Sequence, residues 1–591
     1  MSQLDDKRLI EDYLPIEAIS AEASSEPRTK GHISTLHIWR ARRPLVACRA
    51  AVYGALVPAD QFVPNGASNE KKKSLGRANA AKFVKVLCQY PGSPAVIKEA
   101  QDHVLAAHAD RLTRETGKVV TVQDIIDGRK SRPRVLDMFA GGGAIPLEAA
   151  RLGCESHALE LNPVAHLIEL CSVTFPQQFG PSLADDVENW ARRVLDNTRG
   201  RVSDLLAQIP RVRETESGEQ REIGADTGQP TRDENLSVVA YYWTRTATCP
   251  RRDCGAQVPL YRQTWLRRKE SGFVALKPEP DHEKKVVRFR VVEAASELDL
   301  GFDPAEGSEN SSTECPFCRS TLSGSYVRTY GATHGYDQQL MCVIALNPNG
   351  TGKLYIADES LADGEMQRQV IAEQRACPLE EELGKSSLDE VIPPTGNAGL
   401  DTGKSYLHGI RTFRQMFLPR QRLTLLSMAQ EIHLAYDTMV QGGMPAERAK
   451  AVTTCLGVWL SRLTDRFNAV ARWDNSRENI QGLTSMKRFA MAWDFPEVNI
   501  FGGASGDAWG TLEYITQAIR QEGAQRLPAK CVRGSATELP FQEAFFDAVI
   551  TDPPYYNNES YSELSDVCYV WLRPTLGFLY PEHFAGQLTP K

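Results

Sequence analysis

The chain has 591 residues, too many for one hydrophobic core, and at about 150 residues per domain it implies roughly four structural units. Hydrophobic residues make up 42% and charged residues 24%, with 43 Gly and 34 Pro, which excludes disordered, collagenous and low-complexity classes. No apolar run approaches the roughly 18 residues of a membrane span. The charged start MSQLDDKRLIEDYL is not the apolar core of a secretory signal, and 13 Cys are too few for a disulfide scaffold. A cytoplasmic protein with no membrane partner is expected.

Residues 1–130 read as a basic, mostly helical region. Net charge over the chain is −7, yet Arg28 to Lys85 holds twelve Lys/Arg against Asp60 and Glu70. A block of +10 inside an otherwise acidic chain suits one face offered to phosphates, or a solvated basic surface. Within it, Trp39-Arg40-Ala41-Arg42-Arg43-Pro44 sets arginines beside an aromatic ring. That arrangement can grip a phosphate or a carboxylate, or be the packed start of a helix.

Residues 131–180 hold a β-α-β pattern. RPRVLDMF (132–139) is a short apolar strand ending in an acid, AGGG is a tight turn, and 144–153 is an amphipathic helix closed by Gly153. CESHALEL (154–161) is a second strand, and Asn162-Pro163 opens another helix. Residues 181–237 read as a helix and a linker. Residues 238–345 alternate like strands and enclose two cysteine pairs. Residues 346–403 read as a loop-rich linker, and 404–525 as a mildly basic helical insertion, a candidate for DNA recognition. Strands return in 526–591, at 530–535 and 545–552.

Three motifs carry chemistry. The first is VLDMFAGGGAIP, a strand ending in Asp137, a glycine turn and a helix start. An α/β sheet binds nucleoside-containing cofactors at such carboxyl ends, where glycines let the backbone approach. The dinucleotide fingerprint is not met, since Pro146 stands where a third glycine is wanted. Glu160 ends the next strand, where an acid can hold two ribose hydroxyls.

The second motif is Asp552-Pro553-Pro554-Tyr555, directly after the apolar FFDAVIT. The prolines remove backbone donors and leave carbonyls free to accept. A carboxylate beside a proline carbonyl can take both hydrogens of an amino group on a base, freeing the nitrogen lone pair for an electrophilic methyl group. Tyr555 offers a stacking face worth ~1–3 kcal/mol per base.

The third motif is Cys249-x4-Cys254 with Cys315-x2-Cys318. Two close pairs in a β-rich segment suit a closed, structural four-thiolate zinc site, the alternative being four unrelated reduced cysteines.

The first two motifs together resemble those of amino-directed DNA methyltransferases, with FAGGG at 139–143 and DPPY at 552–555. More narrowly, the chain is similar to the zinc-ribbon-containing adenine-specific DNA methylases. That similarity runs through HIWRARRPL (37–45), LDMFAGGGAIPLEA, ALELNPVA, the Cys pairs, FLPRQRL (417–423), RWDNS (472–476), MAWDFPEVN (491–499) and DPPYYNNESYSELSDVCYVWLR.

The resemblance implies a Rossmann-like α/β methyltransferase core, interrupted by a zinc-ribbon insertion and a helical one. It implies S-adenosylmethionine as cofactor, DNA as partner, and methylation of the adenine amino group, with a restriction-modification or phage-defence role. Asp137, Phe139, Ala140, Gly141 and Gly143 would surround the methionine part of the cofactor. Glu160 would bind its ribose with Asn162 nearby, and Ser535 would approach the adenine ring. Asp552, Pro553, Pro554 and Tyr555 would form the target-base pocket. Only four of the strands such a core uses can be placed. The chain is therefore expected to be a truncated or split version, its sheet completed by a second polypeptide. Two alternatives stay open: an RNA amino-methyltransferase, and a non-catalytic nucleic-acid-binding subunit.

Overall fold

A computed structural model describes residues 7–590 apart from 40, 65–68, 215–219, 223–234, 310, 384–386, 395–402, 487–488, 505, 525–526 and 556–560. Arg40 of the arginine motif therefore lies outside the described residues. The main helices of the N-terminal region are Leu45–Leu56 (α1), Asn69–Leu87 (α2) and Pro94–Thr116 (α3).

Arg134–Asp137 (β1) and Glu155–Glu160 (β2) pair in parallel, joined by the helix Ala144–Arg151 (α4). Their central residues are buried, as parallel strands covered by helices on both faces require. Pro163–Glu169 (α5) follows, with Pro at a first-turn position that needs no donor.

Two strands from the far end of the chain complete this sheet. Lys530–Arg533 (β7) pairs with β2, and Ala548–Val549 (β8) pairs with β1, both parallel. The order is β7-β2-β1-β8, so all four carboxyl ends face one side. Both late strands are shorter than the predicted 530–535 and 545–552. Before β8, Asp547 accepts from the Arg134 amide at 2.5 Å and pairs with Arg111. Phe541, Phe545 and Phe546 stand edge-on around the His157 ring, with centroids 5.2–5.8 Å away. After β8, Pro553 and Pro554 carry no donor to extend the ladder.

The insertion is built on Val238–Thr248 (β3). It pairs antiparallel with Asp337–Leu346 (β4) on one side and with Asp494–Val498 (β6) on the other; Lys353–Ile356 (β5) pairs with β4. Strand β6 lies in the stretch read as helical. Its Pro496 is tolerated because β6 forms the sheet's edge.

A second difference falls in 346–403, read as a loop-rich linker. Besides β5 it holds a 24-residue helix, Glu359–Glu382 (α7), capped by Asp358. The buried face of α7 is largely polar, with Glu365, Gln369 and Glu380 beside Ala372 and Ala376. Hydrophobic periodicity therefore gives no signal. Its partners are on Pro419–Gln441 (α8), where Arg420 donates to Glu365 and Glu497, and Arg422 to Glu373 and Glu380.

One hydrophobic core joins α5, Ser182–Val202 (α6), the inserted sheet, α8, Ala446–Leu463 (α9), Ala508–Glu522 (α10) and Tyr561–Leu576 (α11). The insertions thus pack on α5, which in turn contacts β2 and β7 of the parallel sheet. Among the described residues no helix is long and apolar enough to cross a membrane.

Candidate functional site

Asp137 closes β1 and is buried. Its Oδ1 accepts from the Phe139 amide at 3.1 Å and from the Thr551 hydroxyl at 2.6 Å. Burial pushes its carboxyl up to about 6, against the pull of those two donors. The turn that follows needs glycine twice. Gly141 has φ +57° and Gly143 φ +83°, a region that costs residues with a Cβ. A Cβ at Gly141 would also lie 2.7 Å from Trp39 Nε1.

Glu160 ends β2 beside this turn. One oxygen accepts from the Gly141 amide and the other from the Asn162 amide, each at 2.9 Å. Burial raises its carboxyl, and these amides pull it back. Asn162 caps α5 by accepting from the Val164 amide at 2.9 Å, and its side-chain nitrogen donates to Ser565 on α11 at 2.8 Å.

Between these elements lies a cleft of about 380 Å³. Asp137, Phe139, Ala140, Gly141, Glu160 and Asn162 form one wall, and Asp552, Pro553 and Pro554 meet them from the end of β8. Trp39, Arg42 and Arg43 from the N-terminal segment also line it. Residues separated by four hundred positions thus share one crevice, because β1 and β8 are neighbours and parallel.

Three predicted residues stand apart from the lining. Gly143 lies behind it, where a Cβ would meet Val173 Cγ1 at 3.0 Å. Ser535 lies outside the cleft, its hydroxyl 2.8 Å from the Thr537 hydroxyl. Tyr555 sits at the rim, 54% exposed. Its hydroxyl donates to Asp552 Oδ1 at 3.1 Å and accepts from Arg43 Nη2 at 3.2 Å. Arg43 also forms an ion pair with Asp552 Oδ2.

Several residues of the site carry no assigned role in the sequence reading. Tyr561 and Ser562 line the cleft, and the Tyr561 ring stacks on Trp39 at 6.3 Å and 19°. His37 lines it too, with its imidazole pushed down to about 3 by burial, hence neutral at working pH. The aromatic and polar content of HIWRARRPL and ESYSELS is the available signal, though neither string states which side chain turns inward.

The arginine block divides on folding. Arg49 is fully buried and donates to Glu148 on α4 at 2.6 and 3.2 Å and to the Leu87 carbonyl at 2.8 Å. Arg151 bridges Glu148 to Glu522 on α10. Arg77 pairs with Asp12 at 2.8 Å. These cations hold the fold, while Arg42 and Arg43 reach the cleft.

The four predicted thiols converge. Sγ of Cys249 lies 3.6 Å from that of Cys318, and Sγ of Cys254 lies 3.7 Å from that of Cys315. All four sulfurs fall within 4.8 Å of one another. A tetrahedral metal–sulfur distance of about 2.3 Å requires sulfur–sulfur edges of about 3.8 Å. The cluster can hold a metal ion such as zinc. Two tight turns present it: Gly255 at φ +60° and Arg319 at φ +61°. Hydrogen bonds from the Ser320 hydroxyl and amide hold the Cys318 thiol down at about 6. Leu260, Leu322, Val327 and Trp493 pack around the cluster.

No curated protein and no solved structure matches the chain. Residues 13–83 match a family described as "Protein of unknown function (DUF1156)". That segment carries Trp39, Arg42 and Arg43 of the cleft lining and Arg49 in the buried network.

Proposed function

We propose that the protein is an S-adenosylmethionine-dependent DNA methyltransferase that methylates the exocyclic amine of adenine, on a Rossmann-like core formed by β1, β2, β7 and β8. The observation that carries this reading is the meeting of the glycine turn, Glu160 and the Asp552-Pro553-Pro554 segment in one cleft. A cleft of this size and mainly apolar lining fits a nucleoside-sized ligand.

Glu160 is tied by backbone amides on one side and retains lone pairs for two ribose hydroxyls, which fits the cofactor. Bound S-adenosylmethionine supplies an electrophilic methyl carbon. Asp552 and the Pro553 carbonyl accept the hydrogens of the amino group and turn its lone pair towards that carbon. With the methyl group supplied by that cofactor, the proton released from the amine would pass to Asp552 or to water.

We further propose that the four cysteines hold one structural zinc, since four thiolates at tetrahedral spacing leave no open ligand position. A second polypeptide completing the sheet would pair with β8, one of its two edge strands among the described residues, where Val549 is half exposed.

The test is transfer of a labelled methyl group to mixed-sequence DNA by the wild type and by Asp552→Ala. Loss of about 100-fold or more in the variant is expected for removal of a positioned acceptor. Transfer unchanged by Asp552→Ala would overturn the assignment.

A further inference from the structure

Arg43 stands one residue before Pro44, the cap of α1, and so projects from a fixed base. Its guanidinium touches both polar side chains of the tetrad. Nε pairs with Asp552 Oδ2, Nη2 donates to the Tyr555 hydroxyl, and the guanidinium carbon lies 5.5 Å from the Tyr555 ring centroid. Tyr555 in turn donates to the other oxygen of Asp552. The neighbouring Arg42 is held elsewhere, with Nε on the Trp39 carbonyl at 2.9 Å.

A flat cation paired with the carboxylate and resting near an aromatic ring takes up the place that an amino base would need. Arg43 and such a base cannot occupy the tetrad together. A competing anion can draw the guanidinium off the carboxylate. The pair is accessible enough for that, with Arg43 33% and Asp552 28% exposed at the side chain, a setting in which ion pairs are weak and screened.

We propose that Arg43 is a specificity-determining gate: it fills the place of the substrate's amino group until a phosphate beside that group draws it away. The site then accepts amino bases carried on a phosphate backbone and rejects free bases and nucleosides. This rests on the tetrad being an amine pocket, as in the proposed function.

The test is equilibrium binding, which needs no turnover. Deoxyadenosine, which has no phosphate, and a short single-stranded oligonucleotide are titrated into the wild type, Arg43→Ala and Arg43→Lys. Melting curves verify that each variant is folded. Deoxyadenosine is expected to bind Arg43→Ala about fivefold more tightly than the wild type, as loss of a weak, partly exposed pair allows. The oligonucleotide is expected to gain nothing or to weaken, so its advantage over the nucleoside narrows. Arg43→Lys should fall between, keeping the charge without the planar fork.

The double variant Arg43→Ala/Asp552→Ala separates the two ideas. If Asp552→Ala weakens deoxyadenosine in that background but Arg43→Ala alone leaves its affinity unchanged, the gate is wrong and the amine pocket stands. If Asp552→Ala has no effect there, the amine pocket fails and the gate with it.

Discussion

The Gly141 amide donates to the Glu160 carboxylate across 2.9 Å, tying the turn after β1 to the end of β2 where both face the cleft. Opposite that bond stands Trp39, close enough that a Cβ at Gly141 would lie 2.7 Å from its Nε1. Three segments therefore meet at one glycine.

Gly141→Ala places a Cβ at φ +57°, which costs about 1–2 kcal/mol before any collision is counted. The methyl group also displaces Trp39. Cofactor affinity, read by titration calorimetry with S-adenosylmethionine, should fall by more than about 10-fold, the effect of roughly 1.4 kcal/mol. The melting temperature should fall with it. Unchanged affinity would show that the glycine turn does not hold the cofactor.

Asp137 gives a pH signature of unusual sign. Its carboxyl moves from an ordinary 3.8 up to about 6 on folding because burial disfavours the charged form. The penalty is fully present above pH 6, shrinks as pH falls and vanishes below about pH 4, with an upper size of about 3 kcal/mol. Asp137→Asn removes this titration. From pH 7 to pH 4 the wild type should therefore gain stability relative to Asp137→Asn, measured by urea unfolding at each pH. Parallel curves for the two proteins would contradict it.

The buried pair of Arg49 and Glu148 predicts a contrast within the basic block. Arg49→Ala leaves a buried carboxylate short of one partner, which costs about 3–5 kcal/mol. Arg77→Ala removes a half-exposed, solvent-screened cation from Asp12 and should cost far less. Urea midpoints of the two variants provide the comparison, and equal losses would refute the structural role of Arg49.

The thiol cluster predicts one zinc per chain by elemental analysis of the purified protein. A strong chelator should release it, expose four titratable thiols and lower the melting temperature. Cys315→Ser should reduce the metal content likewise, since three thiolates bind less firmly than four. Metal-free protein with four freely titratable thiols would remove the proposal.

Much of the candidate site is local chemistry and can be read along the chain. The apolar run into Asp137, the glycines that permit positive φ and the helix opened at Asn162-Pro163 all act within a few residues. The cysteine pairs are similarly evident, because four such residues at short spacing have few other uses. What cannot be read locally depends on polar groups burying one another. Helix α7 shows no apolar stripe because Glu365 and Glu380 are matched by Arg420 and Arg422 on α8. Arg49 looks like surface charge until Glu148 encloses it, and Arg42 and Arg43 look alike until one takes a carbonyl and the other takes Asp552. Hydrophobic patterning reports burial only when the buried residues are apolar. Buried ion pairs carry no such pattern, and their partners are found only when distant segments pack together.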